Sequence, residues 1–502
     1  MAAYIHNHYD SSRITGLFAA LISCNSFWVH VTRIHMKYKS LNLGEGPILP
    51  LLLKMSWPSM LAMLTMALYN LMDTLWLARL SSQTIAAFTI TFPIQMIFAS
   101  IGIGTGVGAG SFAARMFGAG EMDKARKTAG QVILLSFISG AILIAVTFSV
   151  PDLMLRVFGG TPETIVLARR YLLWIVLGAP FLLFMMMTNN LFRAEGQPHL
   201  SMYAILIFAL LGAILDPLLI FGWYGFPALG IDGAAVAAVI GQIASGLLSL
   251  YFLLFKAPKF RICLADLKPD FNIIRSIYQT GLPSVLMNLV FTVVIIVYNH
   301  ILAPYGHLAL ATLGICFRIN GLVMMILFGI GHGVMPLVGF NLGARLYDRL
   351  INTVRVAVYC SSIFAGVSSI LIIAFAVPII GLFTKDRELI AIAAPALQIF
   401  VSPLILAGPS LVWINLFIGL GKGLTSMILL FIRDALFLIP LMYLFSALMG
   451  RDGVWMAQPV SATVAFFVIM VWSYKELENI RKKSGPIENA PVPSDDTGAS
   501  LS

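Results

Sequence analysis

About twelve apolar stretches, each close to or beyond the roughly 20 residues that cross a bilayer as a helix, follow one another between Pro47 and Tyr474 with only short polar breaks. This pattern predicts an all-α polytopic membrane protein, because backbone groups in hydrocarbon must be satisfied within their own segment. Composition agrees: 59% of the 502 residues are hydrophobic and 11% charged, against roughly 25% charged in an ordinary soluble domain. Candidate spans are 48–78, 86–113, 128–150, 165–190, 199–221 and 233–255, then 276–303, 308–337, 352–380, 390–419, 424–448 and 453–474.

The net charge of +10 raises the question of a nucleic-acid partner. Sorted along the proposed spans, 23 of the 32 Lys and Arg fall on the side that holds both termini, 7 on the other, and two, Arg318 and Arg433, within helices. That is the positive-inside pattern of an inner membrane with cytoplasmic termini, and it leaves no role for nucleic acid. Residues 1–45, with a 16-residue apolar run from Gly16 to Val31, read as a dispensable extension, and Met36 opens a sensible cytoplasmic leader. Residues 475–502 read as a disordered cytoplasmic tail. The four cysteines form no CxxC pair, which implies packing residues rather than a metal cage or disulfide framework.

Sliding the sequence on itself exposes a repeat. An offset of 225 places Pro58-Ser59 on Pro283-Ser284, Gly104, Gly106 and Gly108 on Gly329, Gly331 and Gly333, and Gly118-Ala119 on Gly343-Ala344. It continues through Asn190-Leu191-Phe192 on Asn415-Leu416-Phe417 and Gly196 on Gly421. Two units of six spans enter the membrane from the same side, so the fold expected is two pseudo-symmetric six-helix lobes, 46–255 and 276–474, joined by a basic cytoplasmic linker at 256–275 and separated by a central cleft.

Inside the spans acidic residues shrink to Asp73, Asp216 and Asp434. A carboxylate at membrane depth is costly unless it is partnered or faces water, so each is a functional candidate. Asp73 shares a helical face with Tyr69 and Asn70, which suits a cation or proton site, or else polar glue between helices. Asp216 precedes Pro217, whose ring leaves the carbonyl near Ala213 without its partner. If the two aspartates converge, desolvation and mutual repulsion favour a proton on at least one of them, and its release would create an acceptor for a cation. Asp434 sits beside Arg433, so the two can compensate each other. Arg318 reads equally as packing partner or cavity lining, and Asn189 and Asn190 as donors to a carboxylate network or as helix-end caps. The run from Gly102 to Gly110, with glycine at every second position, lacks a GK[ST], so close helix packing explains it better than a phosphate loop. With no HExxH, GxSxG or Walker pair, neither an enzyme nor an ATP-driven pump is implied.

The stretch ALYNLMDTLWLARL at 67–80, FGAGEMDKA at 117–125, FRAEGQP at 192–198, LDPLLIFG at 215–222 and GFNLGAR at 339–345 together resemble the multidrug and toxic compound extrusion (MATE) family, over roughly residues 45–475. The resemblance implies export of small cationic amphiphiles by antiport with H⁺ or Na⁺, alternating access between the lobes, no cofactor, and a monomer surrounded by lipid. Within the DinF-like and archaeal branch it implies ion coupling at Asp73 and Asp216, with H⁺ or Na⁺ as the ion bound there. Bending at Pro58, and cavity residues Tyr69, Tyr171 and Asn189, follow from the same comparison. One departure stands out: the family often has Asn where this chain has Gly212, so the site would be completed otherwise, by Asn190 or by water. Acidic residues of the seventh and tenth helices seen in other members are absent here. The rival readings are a lipid-linked oligosaccharide flippase of the same superfamily, which would need several cleft cations, and an intramembrane aspartyl protease, which would need a GxGD signature.

Overall fold

A computed structural model describes residues 40–483. Eleven helices in it are long and apolar enough to cross a membrane, and a bent pair makes a twelfth. In chain order they are α1 Ile48–Ala78, α2 Ser82–Gly118, α3 Met122–Ser149, α4 Pro162–Glu195, α5 Pro198–Phe221 and α6 Ile231–Phe255. The second half holds α7 Phe271–Tyr305, α8 His307–Gly343, α9 Tyr347–Ala374, α10 (Arg387–Val401 and Leu404–Gly419, bent by 42°), α11 Gly423–Met449 and α12 Arg451–Lys483. Their outer faces expose Leu68, Ile142, Val146, Ile363 and Ile370, as expected where the surrounding solvent is lipid.

Several helices run past the spans read from hydropathy, for physical reasons that hydropathy does not register. Ser81 caps α2, accepting from the Thr84 N–H at 3.1 Å, and Asp123 sits in the first turn of α3, where an acidic group favours the helix dipole. The tail read as disordered from 475 is helical to Lys483. Lys422 with Glu476 (2.7 Å) and Lys482 with Glu478 (2.9 Å) hold it, and Ile480 is buried. The readings for residues 1–39 and 484–502, including Met36 as a start, lie outside the described residues. Of the described cysteines, Cys316 and Cys360 are free.

The repeat is visible in the packing. Gly104 and Gly108 of α2 lie against Gly281, Val285 and Ile277 of α7, and their partners by the 225 offset, Gly329 and Gly333 of α8, lie against Met60 and Ser56 of α1. Gly118 meets the Phe340 carbonyl and Gly343 the Arg115 carbonyl, again the same contact carried over by the offset. Gly102, Gly106 and Gly110, on the alternate side of α2, make room for Leu183, Met186 and Asn190 of α4. The glycine run is therefore a two-sided packing strip: one side seats the lobe's own α4, the other seats the opposite lobe.

All these contacts between lobes lie toward the end of the bundle where α1 begins. Ser111 donates to the Ile418 carbonyl and Arg115 to the Gly419 carbonyl at the same end. Toward the other end the face of α8 that carries Gly329 and Gly333 continues through Gly321 and Gly314, and there a Cβ would meet nothing within 4 Å. The lobes are thus closed against each other at one end and diverge at the other. Leu51, Leu52 and Met55 of α1 belong to the hydrophobic core of the second half, whereas Tyr69 belongs to a first-half cluster with Phe208. The helix crosses from one lobe's core toward the other's.

Candidate functional site

Where α1 leaves the interlobe contact it packs on α5, and side-chain size sets the fit. Gly212 has no Cβ, so the Tyr69 ring lies directly over it, edge-on to Phe208 at 5.1 Å. Further along both helices Trp76 meets Phe221 at 6.0 Å. These two contacts fix α1 and α5 as parallel neighbours in one register. One turn beyond Tyr69 stands Asp73, and one turn beyond Gly212 stands Asp216, so the register brings the carboxylates to the same level, each five residues from its helix end.

Both aspartates are buried, Asp73 at 7% exposure and Asp216 at 0%. They interact electrostatically with each other and with the phenols of Tyr69 and Tyr171. Tyr171, from α4, is buried, edge-on to Phe88 at 5.7 Å, and interacts with Gln95 of α2. Gln95 donates in turn to the Thr91 hydroxyl at 3.4 Å. Neither carboxylate oxygen of Asp216 has a protein hydrogen-bond partner. A buried carboxylate in that condition is stable only with a proton or a cation beside it. The arrangement is an oxygen-rich buried cluster of two acids and two phenols, chemically suited to either.

Pro58 and Pro217 both lie inside helices that continue through them, α1 and α5. Each removes one ladder N–H, that of Pro58 from the Lys54 carbonyl and that of Pro217 from the Ala213 carbonyl.

Four other candidate residues stand apart from the acid pair. Asn70 is exposed, whereas Tyr69 and Asp73 are buried. Asn190 packs on Gly106 and Gly110, donates to the Met186 carbonyl at 3.3 Å and accepts from Arg193. It lies near the closed end of α4, roughly 20 Å in depth from Asp216 at 1.5 Å per residue, so it does not complete the acid pair, and Asn189 beside it is equally remote. Arg318 is exposed on α8, in the other lobe. The charged residues Arg193 and Glu195 at the end of α4 are buried. Glu195 accepts from the Lys259 N–H at 2.9 Å, and the Lys259 ammonium, pushed below its usual value by burial, donates to the Glu195 carbonyl at 3.2 Å. Sequence reading missed Gln95 and Thr91, although a glutamine in an apolar span was the available signal.

Gly212 explains the departure at that position: its place is taken by the Tyr69 ring. Gly212→Ala is expected to force that ring aside, at about 1–3 kcal/mol for overpacking, and Tyr69→Ala should recover much of the loss. Thermal unfolding of the two single variants and the double variant in detergent checks this; additive losses would show that Gly212 and Tyr69 do not share the space.

The MatE family matches residues 58–218 and again 283–444. The chain belongs to the MatE family. Both matches begin at positions related by the internal offset of 225. Among curated relatives, the multidrug export protein MepA of Staphylococcus aureus is 27% identical over 430 residues, 85% of this chain and 94% of the relative. MepA of Staphylococcus saprophyticus is 26% identical over 422 residues, 84% and 92% of the two chains. A solved structure described as the outward-facing conformation of a multidrug resistance MATE family transporter superposes with a TM-score of 0.84 at 26% identity, covering 89% of this chain and all of the other. A transporter of the wider superfamily from Pyrococcus furiosus gives 0.83 at the same identity and coverage. These MatE relatives are transporters rather than enzymes, and the protein is a multi-pass membrane protein of that kind.

Proposed function

We propose that this MatE protein exports cationic amphiphilic molecules across a prokaryotic inner membrane in exchange for protons, with Asp73 and Asp216 as the charge for which the two ligands compete. One observation carries the reading: Asp216 is wholly buried with neither oxygen partnered, level with Asp73. Such a pair must hold a proton or a cation, and a group that can hold only one of them at a time is the minimum an antiporter needs. Sodium is the other ion that an all-oxygen site could take. The names of the MepA relatives support the multidrug part of the reading.

The positive-inside distribution puts the basic linker 256–275 and both termini in the cytoplasm. On that orientation the closed end is cytoplasmic and the divergent end faces outward, with rocking of lobes 46–255 and 276–474 exchanging the two. The flippase alternative needs several free cations in the helices, but Arg433 is bound bidentately by Asp434 at 2.7 and 3.0 Å, so of the two helix arginines only Arg318 is left to such a role. Efflux of ethidium from proteoliposomes under separately imposed H⁺ and Na⁺ gradients tests the proposal. Transport driven by the proton gradient alone is expected, transport by sodium alone would reassign the ion, and transport by neither would overturn antiport.

A further inference from the structure

Arg318 is a guanidinium eleven residues into an apolar span, and it forms no hydrogen bond or ion pair with the described residues. An arginine at that depth is costly unless something compensates it, so it marks a ligand path by default. Two features of the fold show where it looks. Helical periodicity puts Arg318 on the face of α8 that carries Gly329 and Gly333, the face that seats α1 at the closed end. On that face Gly314 and Gly321, one turn to either side of Arg318, open onto free space.

The same contacts set what stands opposite. Met60 meets Gly329 and Ser56 meets Gly333, so α1 and α8 run antiparallel in a defined register. Counting outward from Ser56 and Gly333, Asn70 is about 21 Å and Arg318 about 22 Å along their helices at 1.5 Å per residue. They occupy the same depth on facing walls of the divergent end, Asn70 exposed on one and Arg318 on the other. Asp73 is one turn beyond Asn70 on α1 but buried against α5 rather than exposed to the cleft. The space between the lobes is therefore basic on the second-half side at that level, with the acid pair buried behind the first-half wall.

We propose that Arg318 is a specificity-determining residue that binds an oxyanion of the transported molecule, so that the cleft selects amphiphiles carrying a carboxylate or similar group together with their cationic centre. The inference rests on the export reading above and names a substrate class for it. A planar guanidinium pairs bidentately with a carboxylate, and the two flanking glycines leave the room that such a group needs. The cationic end of the same molecule is left to the acid pair across the cleft.

Two rhodamines differing only in a free benzoate against its methyl ester separate the two ends of the substrate. Equilibrium binding to purified protein, read by fluorescence anisotropy, is compared with efflux from proteoliposomes of neutral lipid, for wild type, Arg318→Gln and Arg318→Lys. Arg318→Gln is expected to weaken binding of the free acid by roughly tenfold or more, as loss of a charge-assisted pair predicts, and to leave the ester within about twofold. Arg318→Lys should fall between, because it keeps the charge and loses the fork. Equal weakening of both dyes, or of neither, overturns the proposal. So does a free-acid preference that appears only when anionic phospholipid is added, which would assign Arg318 to lipid phosphate. Because binding needs no gradient, failure of antiport leaves this result readable, and intact efflux of the ester with no role for Arg318 would sink only the specificity claim.

Discussion

Asp216→Asn is expected to abolish gradient-driven efflux while leaving the protein at least as stable as wild type. The two halves of this expectation have one cause. The Asp216 carboxylate is fully buried and neither oxygen finds a protein donor, so the folded state bears the cost of an unpartnered polar group, of order 1–3 kcal/mol in proteins. Asparagine has nearly the same shape as the protonated acid and carries no charge to desolvate. It also cannot release a proton, so the competition between proton and cation is lost, by roughly tenfold or more in transport. Asp73→Asn should lose coupling likewise. Thermal unfolding in detergent and proton-driven ethidium efflux, measured on the same preparations, check both halves. A drop in melting temperature of many degrees would make Asp216 a structural group held by contacts that asparagine breaks, and retained efflux would place the coupling elsewhere.

Why the acid pair was legible in the sequence and its surroundings were not is a matter of dimension. Hydropathy and a fixed offset are one-dimensional signals, and they yield the helices and the repeat. Asp73 and Asp216 stand out because a charge in an apolar span is conspicuous wherever it faces. The convergence of the two depends on register, which Gly212 sets by admitting the Tyr69 ring, and a glycine in a membrane helix carries no signal about which ring will cover it. Asn70 shares a stripe with Tyr69 and Asp73 on paper, yet it is exposed while they are buried, because hydropathy does not say which part of a stripe a neighbouring helix will cover. Asn190 failed as a ligand for the opposite reason: it is polar and in the right lobe, but its depth follows from the α4–α5 turn at Gly196, some 20 residues of chain from Asp216. The helical tail beyond 474 was hidden because its stability comes from ion pairs with Lys422 and from burial of Ile480, neither of which alters local hydropathy.

A bulky side chain at Gly118 is expected to open the closed end. Gly118 and Gly343 each face a backbone carbonyl of the other lobe, of Phe340 and Arg115, close enough that any Cβ must displace main chain rather than a flexible side chain. Backbone inside two packed helices has little freedom to give, so the strain is relieved by separating the lobes at that end. Gly118→Leu should then disfavour the closed arrangement by about 1–3 kcal/mol, a shift of roughly 5- to 150-fold in the balance of the two states. Spin labels at Asp123 and Asp348, equivalent by the 225 offset near the closed end, should report a longer distance in Gly118→Leu. Labels at Val157 and Leu382, exposed and equivalent at the other end, should report a shorter one. Gly314→Leu supplies the opposite sign: its Cβ meets nothing in the present state but would obstruct closure of the divergent end, so it should hold the lobes as they are. Unchanged distances in folded Gly118→Leu would mean that the hydrogen bonds of Ser111 and Arg115, rather than the glycine contacts, keep this end shut.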